Sequence, residues 1–581
     1  MRKTIGQLLT AGVALAVALI QVTAAQAQMI TSSWSSAVSG SWHDDAKWDL
    51  GVPLAGTNVF LGGNGSYTVE YTNPVNYAIG LLLITNTGPS GITTLSINTN
   101  GFIFAGTRWG KSEVVLNAGA AVTNKGGLSD GFNQTLTVNP GSAWFQLGYV
   151  GPGNGSSTTI TPTVKVNGGS FLCADRCSAV LKQTGGVVTV GNNLTLMHGT
   201  LISGGVVSNT STASAVDVNR SCTVVLTNQG QIVTINFVMT GIDSGDVMRV
   251  DGGSLKITGT RFFIGSNPYS SSRYGTFIQS DGTVEMTNAA GLVIGAASGP
   301  LTASSLYQYQ LSGGVLDVEK ITLGALANVG TNANVLKISG GTLNLGSGGL
   351  VKGDAPVATY RVQLSGGTLG AKADWASALD MSVSNTPGSG MVTFRAADTS
   401  GVPHDMTLSG ALVGNGGLLK TGAGTLLMNG MNTYTGATTV SSGTLGGTGS
   451  LSGSTVTVVS NAVVSAGTTN GVGTLSMANL VLREGAVCAW NYGLTTQDVV
   501  NVSGNLTLPT NAVVKVSAAE GATLQHLPPQ TVLFAFGSSD GASSLEEWVV
   551  TAEVAHARIR LDVSNKRVLL LAYGGTLFMM Q

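Results

Sequence analysis

The chain has little charge of either sign. Only 9% of its 581 residues are Asp, Glu, Lys or Arg, against about 25% in ordinary soluble domains. The 27 basic and 28 acidic residues give a formal net charge of −1, so the sequence lacks the basic footprint needed to bind nucleic acid or anionic lipid. Partners would have to be recognised by shape, hydrogen bonds or aromatic stacking.

Residues that favour helices are also scarce. Glu, Lys and Arg are few, whereas Gly fills 83 positions and Thr, Val, Ser and Asn are abundant. This mixture favours many short strands separated by tight turns. Hydrophobic residues make up 43% of the chain, which is enough to build a core and excludes a disordered protein.

Cysteine and histidine are too sparse to predict a metal centre. The five His residues stand singly, without further Cys or His at a zinc-binding spacing. Cys173 and Cys177 are close enough for a small local loop, whereas Cys222 and Cys488 lie far apart and are expected to be buried singly. Because exported proteins can be oxidised, we predict a Cys173–Cys177 disulfide and no metal or other cofactor.

Catalytic motifs are lacking: the chain has no GxxxxGK[ST] phosphate loop, HExxH, paired CxxC or GxSxG. The densest carboxylate groups, with their basic neighbours, are His43-Asp44-Asp45, the set Asp243, Asp246, Asp251 and Arg249, the set Asp317, Glu319 and Lys320, and Glu546-Glu547. Glycines around the second group favour a turn. Asp317 and Glu319 lie two positions apart on one strand and so share its polar face, which favours a solvated surface over a catalytic site. We therefore predict no enzyme; a polysaccharide lyase or hydrolase using Asp246, Arg249 and Asp251 is the first alternative.

The N-terminus has the three parts of an export signal. Arg2 and Lys3 provide the positive start, residues 11–20 the apolar stretch, and residues 25–27, Ala-Gln-Ala, the small-residue cleavage site. The apolar stretch is shorter than the roughly 20 residues of a spanning helix. We predict that residues 1–27 are a signal peptide, that no integral membrane segment remains after cleavage, and that the protein is extracellular, on the cell surface or periplasmic.

The middle of the chain repeats a turn followed by an alternating strand. The turns are marked by Gly168, Gly185, Gly204, Gly252, Gly282, Gly313, Gly340 and Gly366. Most of these intervals are about 20 to 30 residues, a period that predicts stacked solenoid coils. An antiparallel sandwich, with a hairpin about every 8 to 12 residues, is the alternative.

The segment GGLLKTGAGTLLMNGMNTYTGATTVSSGTL, residues 416–445, is the most informative. Its motif positions are Lys420, Thr421, Gly422, Gly424, Thr425, Leu426, Asn432, Tyr434, Gly436, Gly443 and Leu445. On these residues the segment resembles the autotransporter-associated β-strand repeat, a marker of secreted bacterial surface proteins built as parallel β-helices. The resemblance implies a right-handed, pectin-lyase-like parallel β-helix that works through shape and extended surface.

Both ends of the chain also resemble proteins that carry this repeat. Trp34, Trp42 and Trp48 form a Trp-rich opening. Their even spacing would place them on one face of an extended strand, where they would close the end of the core. The alternative is an exposed aromatic platform that stacks on sugars. Alternating strands from about residue 473 onward resemble the succession that commonly follows the repeat.

Together these features predict an all-β chain. Its expected parts are the signal peptide 1–27, an N-terminal cap with the first coils 28–110, the solenoid body 111–410, the repeat 411–450, and C-terminal coils with a β-rich end domain 451–581. We predict an exported structural or adhesive bacterial protein without catalytic activity, whose partners are polysaccharides or cell-surface glycans and not nucleic acid. A carbohydrate-binding module that uses the Trp residues is the second alternative.

Overall fold

The computed structural model describes residues 30–572, with gaps at 36, 74–76, 87–91, 111, 129–133, 152–161, 219–221, 240–244, 266–273, 296–305, 325–332, 355–358, 386–390, 469–470, 524–525 and 552–556. The predicted signal peptide therefore lies outside the described residues. Those residues form 48 β-strands and one 3-10 helix, Asp45–Lys47. The all-β prediction is confirmed.

The strands of the N-terminal half are β1 Thr31–Ser33, β2 Gly40–Ser41, β3 Asn58–Leu61, β4 Tyr67–Tyr71, β5 Tyr77–Thr85, β6 Thr93–Ile97, β7 Asn100–Gly110, β8 Ser112–Leu116, β9 Ala121–Asn124, β10 Gln134–Val138, β11 Ala143–Gln146, β12 Thr163–Cys173, β13 Cys177–Val190, β14 Leu194–Leu196, β15 Thr200–Asn209, β16 Val216–Val218, β17 Thr223–Thr234, β18 Phe237–Met239, β19 Asp246–Ile257, β20 Phe262–Ile264, β21 Tyr274–Met286, β22 Leu292–Ile294, β23 Leu306–Leu311 and β24 Val315–Leu323.

The remaining strands are β25 Ala333–Ile338, β26 Thr342–Lys352, β27 Thr359–Leu364, β28 Thr368–Ala371, β29 Trp375–Ser377, β30 Met381–Val383, β31 Val392–Arg395, β32 Met406–Leu408, β33 Leu412–Gly414, β34 Leu418–Thr421, β35 Thr425–Met428, β36 Met431–Asn432, β37 Thr438–Val440, β38 Thr444–Gly446, β39 Ser450–Val458, β40 Val463–Ser465, β41 Thr474–Leu482, β42 Ala486–Tyr492, β43 Val499–Leu508, β44 Ala512–Ala518, β45 Gln530–Gly541, β46 Val549–Thr551, β47 Ala557–Asp562 and β48 Arg567–Ala572.

These strands wind into a parallel β-solenoid with three faces. Face A includes β23, β25 and β27, which pair in parallel in that order. Face B includes the start of β24, the start of β26, β28 and β31. Face C includes β14, β16, β18, β20 and β22, and along the later coils the separate eight-stranded sheet that ends at β46. A long strand such as β13 bends at corners and contributes to all three faces.

The coil length explains the periodicity of the sequence. On face A, Ile202 pairs with Leu226 and Leu226 with Val250, so one coil takes about 24 residues here, within the range typical of solenoid repeats. Inward side chains alternate with outward ones along each strand, and the inward side chains of all coils join in one hydrophobic core. Parallel pairing between successive coils excludes the antiparallel sandwich.

Asparagines stack at one corner of the early coils. The Asn117 amide donates to Asn98 Oδ1 at 2.6 Å, Asn139 donates to Asn117 Oδ1 at 3.0 Å, and Asn167 donates to Asn139 Oδ1 at 3.1 Å. Each amide thus satisfies its neighbour one coil away, where an unpaired polar group would cost about 1–3 kcal/mol. This ladder accounts for part of the high Asn content.

Antiparallel segments flank the two ends of the solenoid. At the N-terminal end, Trp34 bridges antiparallel to Trp48 beside β1. At the C-terminal end, β48 pairs antiparallel to β45, and β47 pairs antiparallel to β48. Such segments cover edges that would otherwise offer unpaired N–H and C=O groups to another chain.

Candidate functional sites along the solenoid

The repeat segment forms ordinary coils of the solenoid. Its strand β34 pairs with β31 before it and β37 after it, so the pairing runs without a break across residues 410 and 450. Leu426 and Leu445 are buried and paired on face C. Thr421 ends β34, and the N–H of Thr425 at the start of β35 donates to Asp405 Oδ1 at 2.8 Å.

Lys420 is a buried cation inside this repeat. Its side chain is 1% exposed, and Nζ donates to the carbonyl oxygens of Thr421 at 3.0 Å, Gly422 at 2.8 Å and Ser442 at 2.9 Å. Burial lowers the pKa of Lys420 to about 8, although the nearby Asp405 carboxylate acts in the opposite direction. The three carbonyls use all three donors of the ammonium group, so Lys420 joins two turns of neighbouring coils.

Asn432 and Tyr434 also have buried backbone or hydroxyl partners. Asn432 Oδ1 accepts from the N–H of Leu412 at 2.9 Å, and its amide donates to the carbonyl of Gly430 at 2.9 Å. The Tyr434 hydroxyl lies 2.6 Å from Thr438 Oγ1, which in turn lies 2.8 Å from Ser454 Oγ. Burial raises the pKa of Tyr434 to about 12. Both side chains therefore hold neighbouring coils together.

The repeat glycines stand where coils stack tightly. A Cβ on Gly436 would lie 2.2 Å from the carbonyl oxygen of Gly416, and one on Gly424 would lie 2.2 Å from that of His404. Gly422 and Gly443 have φ angles of 77° and 68°, in the region that only glycine enters without strain. The motif residues are thus explained by coil stacking.

The three N-terminal tryptophans are packed inside the protein. Trp34, Trp42 and Trp48 are 4%, 0% and 5% exposed, and the Trp48 ring meets both others edge-on at centroid distances of 5.0 and 4.9 Å. The spacing suggested that they share one extended strand, and this prediction is wrong. Each Trp follows a different element, namely β1, β2 or the 3-10 helix. These elements converge because the chain turns twice between them. Rings at this depth offer no platform for a sugar.

The carboxylates expected of an enzyme are engaged in structural contacts. Asp246 is fully buried, and its Oδ1 accepts from the N–H of Cys222 at 3.0 Å. Asp251 pairs with Arg249 at 3.0 and 3.2 Å. Asp243 lies outside the described residues. Asp44 and Asp45 accept backbone N–H groups of their own turns, and Glu546-Glu547 lies exposed before β46.

Asp317 and Glu319 have a partner that their sequence neighbourhood did not predict. Both carboxylates pair with Lys372, at 2.5 and 2.7 Å, although Lys320 is adjacent in sequence. Lys372 directly follows β28, two coils further along face B. The hydrogen bonds and charges of the two carboxylates raise the pKa of Lys372 against the effect of burial, which lowers it.

Asn344 and Arg395 extend this polar cluster. The Arg395 guanidinium donates to Asn344 Oδ1 at 2.7 Å and to the carbonyl of Ala397 at 3.3 Å. Gly370, which lies between them on face B, has no side chain, and a Cβ there would lie 2.7 Å from both groups. The gap at Gly370 therefore lets Arg395 reach back across one coil.

Asp498 is a second buried carboxylate that sequence reasoning missed. It is fully buried and accepts the N–H groups of Gly473 and Asn491, each at 2.8 Å. These hydrogen bonds favour the charged form, but burial is stronger and raises the pKa of Asp498 to about 7. It lines a small recess with Cys488, Trp490 and Phe534. Its only sequence signal is a lone Asp between two strands.

Neither a metal cluster nor a spanning helix occurs in the part of the chain that the structure describes. No group of three or more His, Cys, Asp or Glu residues within it could hold a metal ion. Within the same residues, no helix has the length and apolarity to cross a membrane.

Comparisons with known proteins point to one class. Residues 418–446 match the family model of the passenger-associated-transport-repeat. The chain is also similar to the adhesin BmaC autotransporter of Brucella suis biovar 1 (strain 1330), with 25% identity over 407 residues. That match covers 66% of this chain and 9% of the relative, so the chain corresponds to a small part of the larger protein's length.

By its fold the chain is a parallel β-solenoid, the class of protein that the pairing between coils defines. The chain carries this passenger-associated repeat in its later coils, as the sequence resemblance predicted.

Proposed function

We propose that the protein is an exported structural and adhesive element of a bacterial surface, without a catalytic site. The observation that carries this proposal is the unbroken parallel pairing from the N-terminal tryptophans to β45, with the passenger-associated repeat embedded in it. Similarity to a protein described as an autotransporter adhesin supports the same role. The predicted signal peptide supplies the route of export.

The long outer faces are the surfaces available for adhesion. On face B, Thr342, Thr368 and Thr393 pair with one another in register, and each precedes a buried residue, so their side chains point outward. Coils stack about 4.8 Å apart. The three hydroxyl groups therefore form a row with a short, regular repeat, which suits hydrogen bonding to a linear polysaccharide.

An enzymatic role has weaker support. A lyase or hydrolase needs a carboxylate or other base that can exchange protons with the substrate. Asp317 and Glu319 share a single ammonium group, and Asp251 is paired with Arg249. The buried Trp rings likewise give no support to a Trp-based carbohydrate-binding module.

The test is a glycan array combined with a polysaccharide depolymerisation assay on the chain from Gln28 onward, with and without calcium. We expect saturable binding and no product release. Replacing Thr342, Thr368 and Thr393 together by Val keeps the strand shape but removes the hydroxyl row, and we expect weaker binding. The control replaces the outward-facing Thr94 and Thr135 of face A by Val. Product release would overturn the proposal, as would the absence of binding together with the absence of the protein from the cell surface in a protease-shaving experiment.

A further inference from the structure

The corner between faces B and C brings two of the four cysteines together. Cys173 ends β12 on face B and Cys177 begins β13 on face C. Residues 174–176 form the turn between them. Both side chains point into the core and are 2% and 3% exposed. Cys173 Sγ lies 3.6 Å from the carbonyl oxygen of Arg176, the residue before Cys177, and the two thiols are close neighbours. The structure holds both as free thiols, so the disulfide expected from the sequence is not formed in it.

The backbone of this corner is held by neighbouring coils. The N–H of Cys177 donates to the carbonyl of Asn193, and the carbonyl of Cys173 accepts from the N–H of Gly191, both at 2.8 Å. Cys173 Sγ lies 3.4 Å from the carbonyl oxygen of Asp175, over the turn that leads to Cys177. Disulfide geometry requires close Cβ atoms with suitable directions. Since both thiols lie on the inner side of this short turn, we expect side-chain rotation to be the main movement needed to join them.

We propose that Cys173 and Cys177 form a disulfide that closes a five-residue loop at this corner in the exported protein, with a thiol-oxidising disulfide reagent or enzyme as the electron acceptor. Formation of the bond in cells rests on the export proposed above, because disulfides persist outside the reducing cytosol. The bond would fix the angle between faces B and C at the coil where β13 begins.

The chemistry proceeds by two thiol–disulfide exchanges. One cysteine, as thiolate, attacks the acceptor disulfide, forms a mixed disulfide and releases the first acceptor thiol. The second cysteine then attacks the protein sulfur of the mixed disulfide and releases the second acceptor thiol. The two protein thiols lose two electrons and two protons, and the acceptor disulfide is reduced to two thiols.

Burial determines when this exchange takes place. The reactive species is the thiolate, and interaction of the Cys177 thiol with the Cys173 sulfur, together with burial, raises the pKa of Cys177 well above its usual value. An acceptor also has to reach a sulfur that is almost completely enclosed. The bond therefore forms while the coil is still folding, and once formed it is protected from reductants.

The other two cysteines are internal controls. Cys222 and Cys488 are also buried thiols, but each lies far along the chain from the corner at 173–177. Burial raises the pKa of Cys488 to about 12. Both are expected to remain thiols under conditions that oxidise the corner pair.

Tryptic mapping gives a direct test, because Arg176 lies between the two cysteines. The chain from Gln28 onward is unfolded and reduced, refolded with oxidised or reduced glutathione, alkylated in denaturant and digested. Trypsin separates the peptide 166–176 from the peptide 177–182, so a disulfide appears as a linked pair that reductant splits. We expect the linked pair only after oxidative refolding, with Cys222 and Cys488 alkylated. We also expect at least about tenfold slower oxidation when folded, reduced protein is given oxidised glutathione.

Two variants sharpen the result. Cys173→Ser should abolish the linked pair and leave Cys177 alkylated, whereas Cys222→Ser should preserve the linked pair. Alkylation of all four cysteines in oxidatively refolded protein with a native circular dichroism spectrum would overturn the disulfide. So would a linkage of Cys173 or Cys177 to Cys222 or Cys488.

The same mapping on protein alkylated inside cells separates this inference from the proposed function. A linked pair in cells supports both. A pair that forms on refolding but not in cells contradicts export to an oxidising compartment and leaves the corner geometry intact. Surface-exposed protein that forms no pair contradicts the disulfide and leaves the export proposal intact.

Discussion

The ammonium group of Lys420 donates a 2.9 Å hydrogen bond to the carbonyl of Ser442, one coil further along the solenoid. The same group also binds the carbonyls of Thr421 and Gly422 in its own coil. One side chain thus satisfies three backbone acceptors at a corner where successive repeats stack. This arrangement explains a lysine in an otherwise apolar and Thr-rich motif.

Replacing Lys420 by Met should destabilise the solenoid. Methionine fills much of the same volume but donates no hydrogen bond, so buried carbonyls lose their partner, and we expect the free energy of unfolding to fall by about 1–3 kcal/mol. Urea unfolding followed by circular dichroism measures the change. Lys352→Met, at an exposed strand end, is the matched control and should change stability by less than about 0.5 kcal/mol. Equal effects of the two variants would contradict the assigned role.

The pH dependence of stability should carry the signature of Lys420. Its folded pKa is about 8, below the value of 10.5 for the unfolded chain. Between these values the unfolded chain binds a proton that the folded protein has lost, so this contribution to stability rises with pH. It is fully present above pH 10.5 and is lost as the pH falls through 8. The stability difference between wild type and Lys420→Met, measured from pH 7 to 10, isolates this contribution; a difference independent of pH would refute it.

Asp498 should produce the opposite slope at lower pH. Its folded pKa of about 7 lies above the unfolded value of 3.8. The folded protein therefore holds a proton that the unfolded chain has released. This contribution is fully present below pH 3.8 and is lost as the pH rises through 7. We expect Asp498→Asn, which does not titrate, to reduce the loss of stability between pH 4 and 7. Thermal unfolding of wild type and variant from pH 4 to 7 measures this difference. Asp540→Asn, at an exposed position, is the control and should leave the pH dependence of stability unchanged.

Gly436 should not tolerate even a methyl group. Its Cβ would lie 2.2 Å from the carbonyl oxygen of Gly416 in the coil below, so Gly436→Ala forces two stacked backbones apart and should cost at least about 2 kcal/mol. At Gly185 the nearest atom to an added Cβ is 3.5 Å away, an ordinary contact. Gly185→Ala should therefore be much milder in the same urea titration. A smaller loss for Gly436→Ala than for Gly185→Ala would show that the coils do not stack as described.

The fold was predictable because its information is local and repeated. Inward and outward residues alternate along strands such as VLDV at Val315–Val318, and a Gly-containing turn precedes each such strand. This pattern recurs once per coil. It therefore predicts parallel stacking without knowledge of any long-range contact. The N-terminal tryptophans show the limit of that reasoning. Their spacing suggested one strand, whereas three separate segments bring them together, because the turns between them are set by local backbone geometry that spacing does not encode.

The side-chain partners were not predictable in the same way. Asp317 pairs with Lys372, 55 residues away, and not with Lys320, which is much closer in sequence. Which side chains meet depends on the accumulated length of the intervening coils and on gaps such as Gly370, through which Arg395 reaches Asn344. Among the carboxylates that could suggest catalysis, Asp246, Asp251, Asp317 and Glu319 are therefore engaged by neighbouring groups in the folded protein.

The sequence by itself determined that this protein is all-β, built of parallel coils and marked by a passenger-associated repeat, because strand alternation and turn residues act over a few positions. Only the tertiary structure decided that the tryptophans are buried, that Lys420 binds three carbonyls, that Asp498 is enclosed, and that Cys173 and Cys177 meet at a corner. Those outcomes depend on the register between coils, which is set by packing of the whole core and not by any single segment.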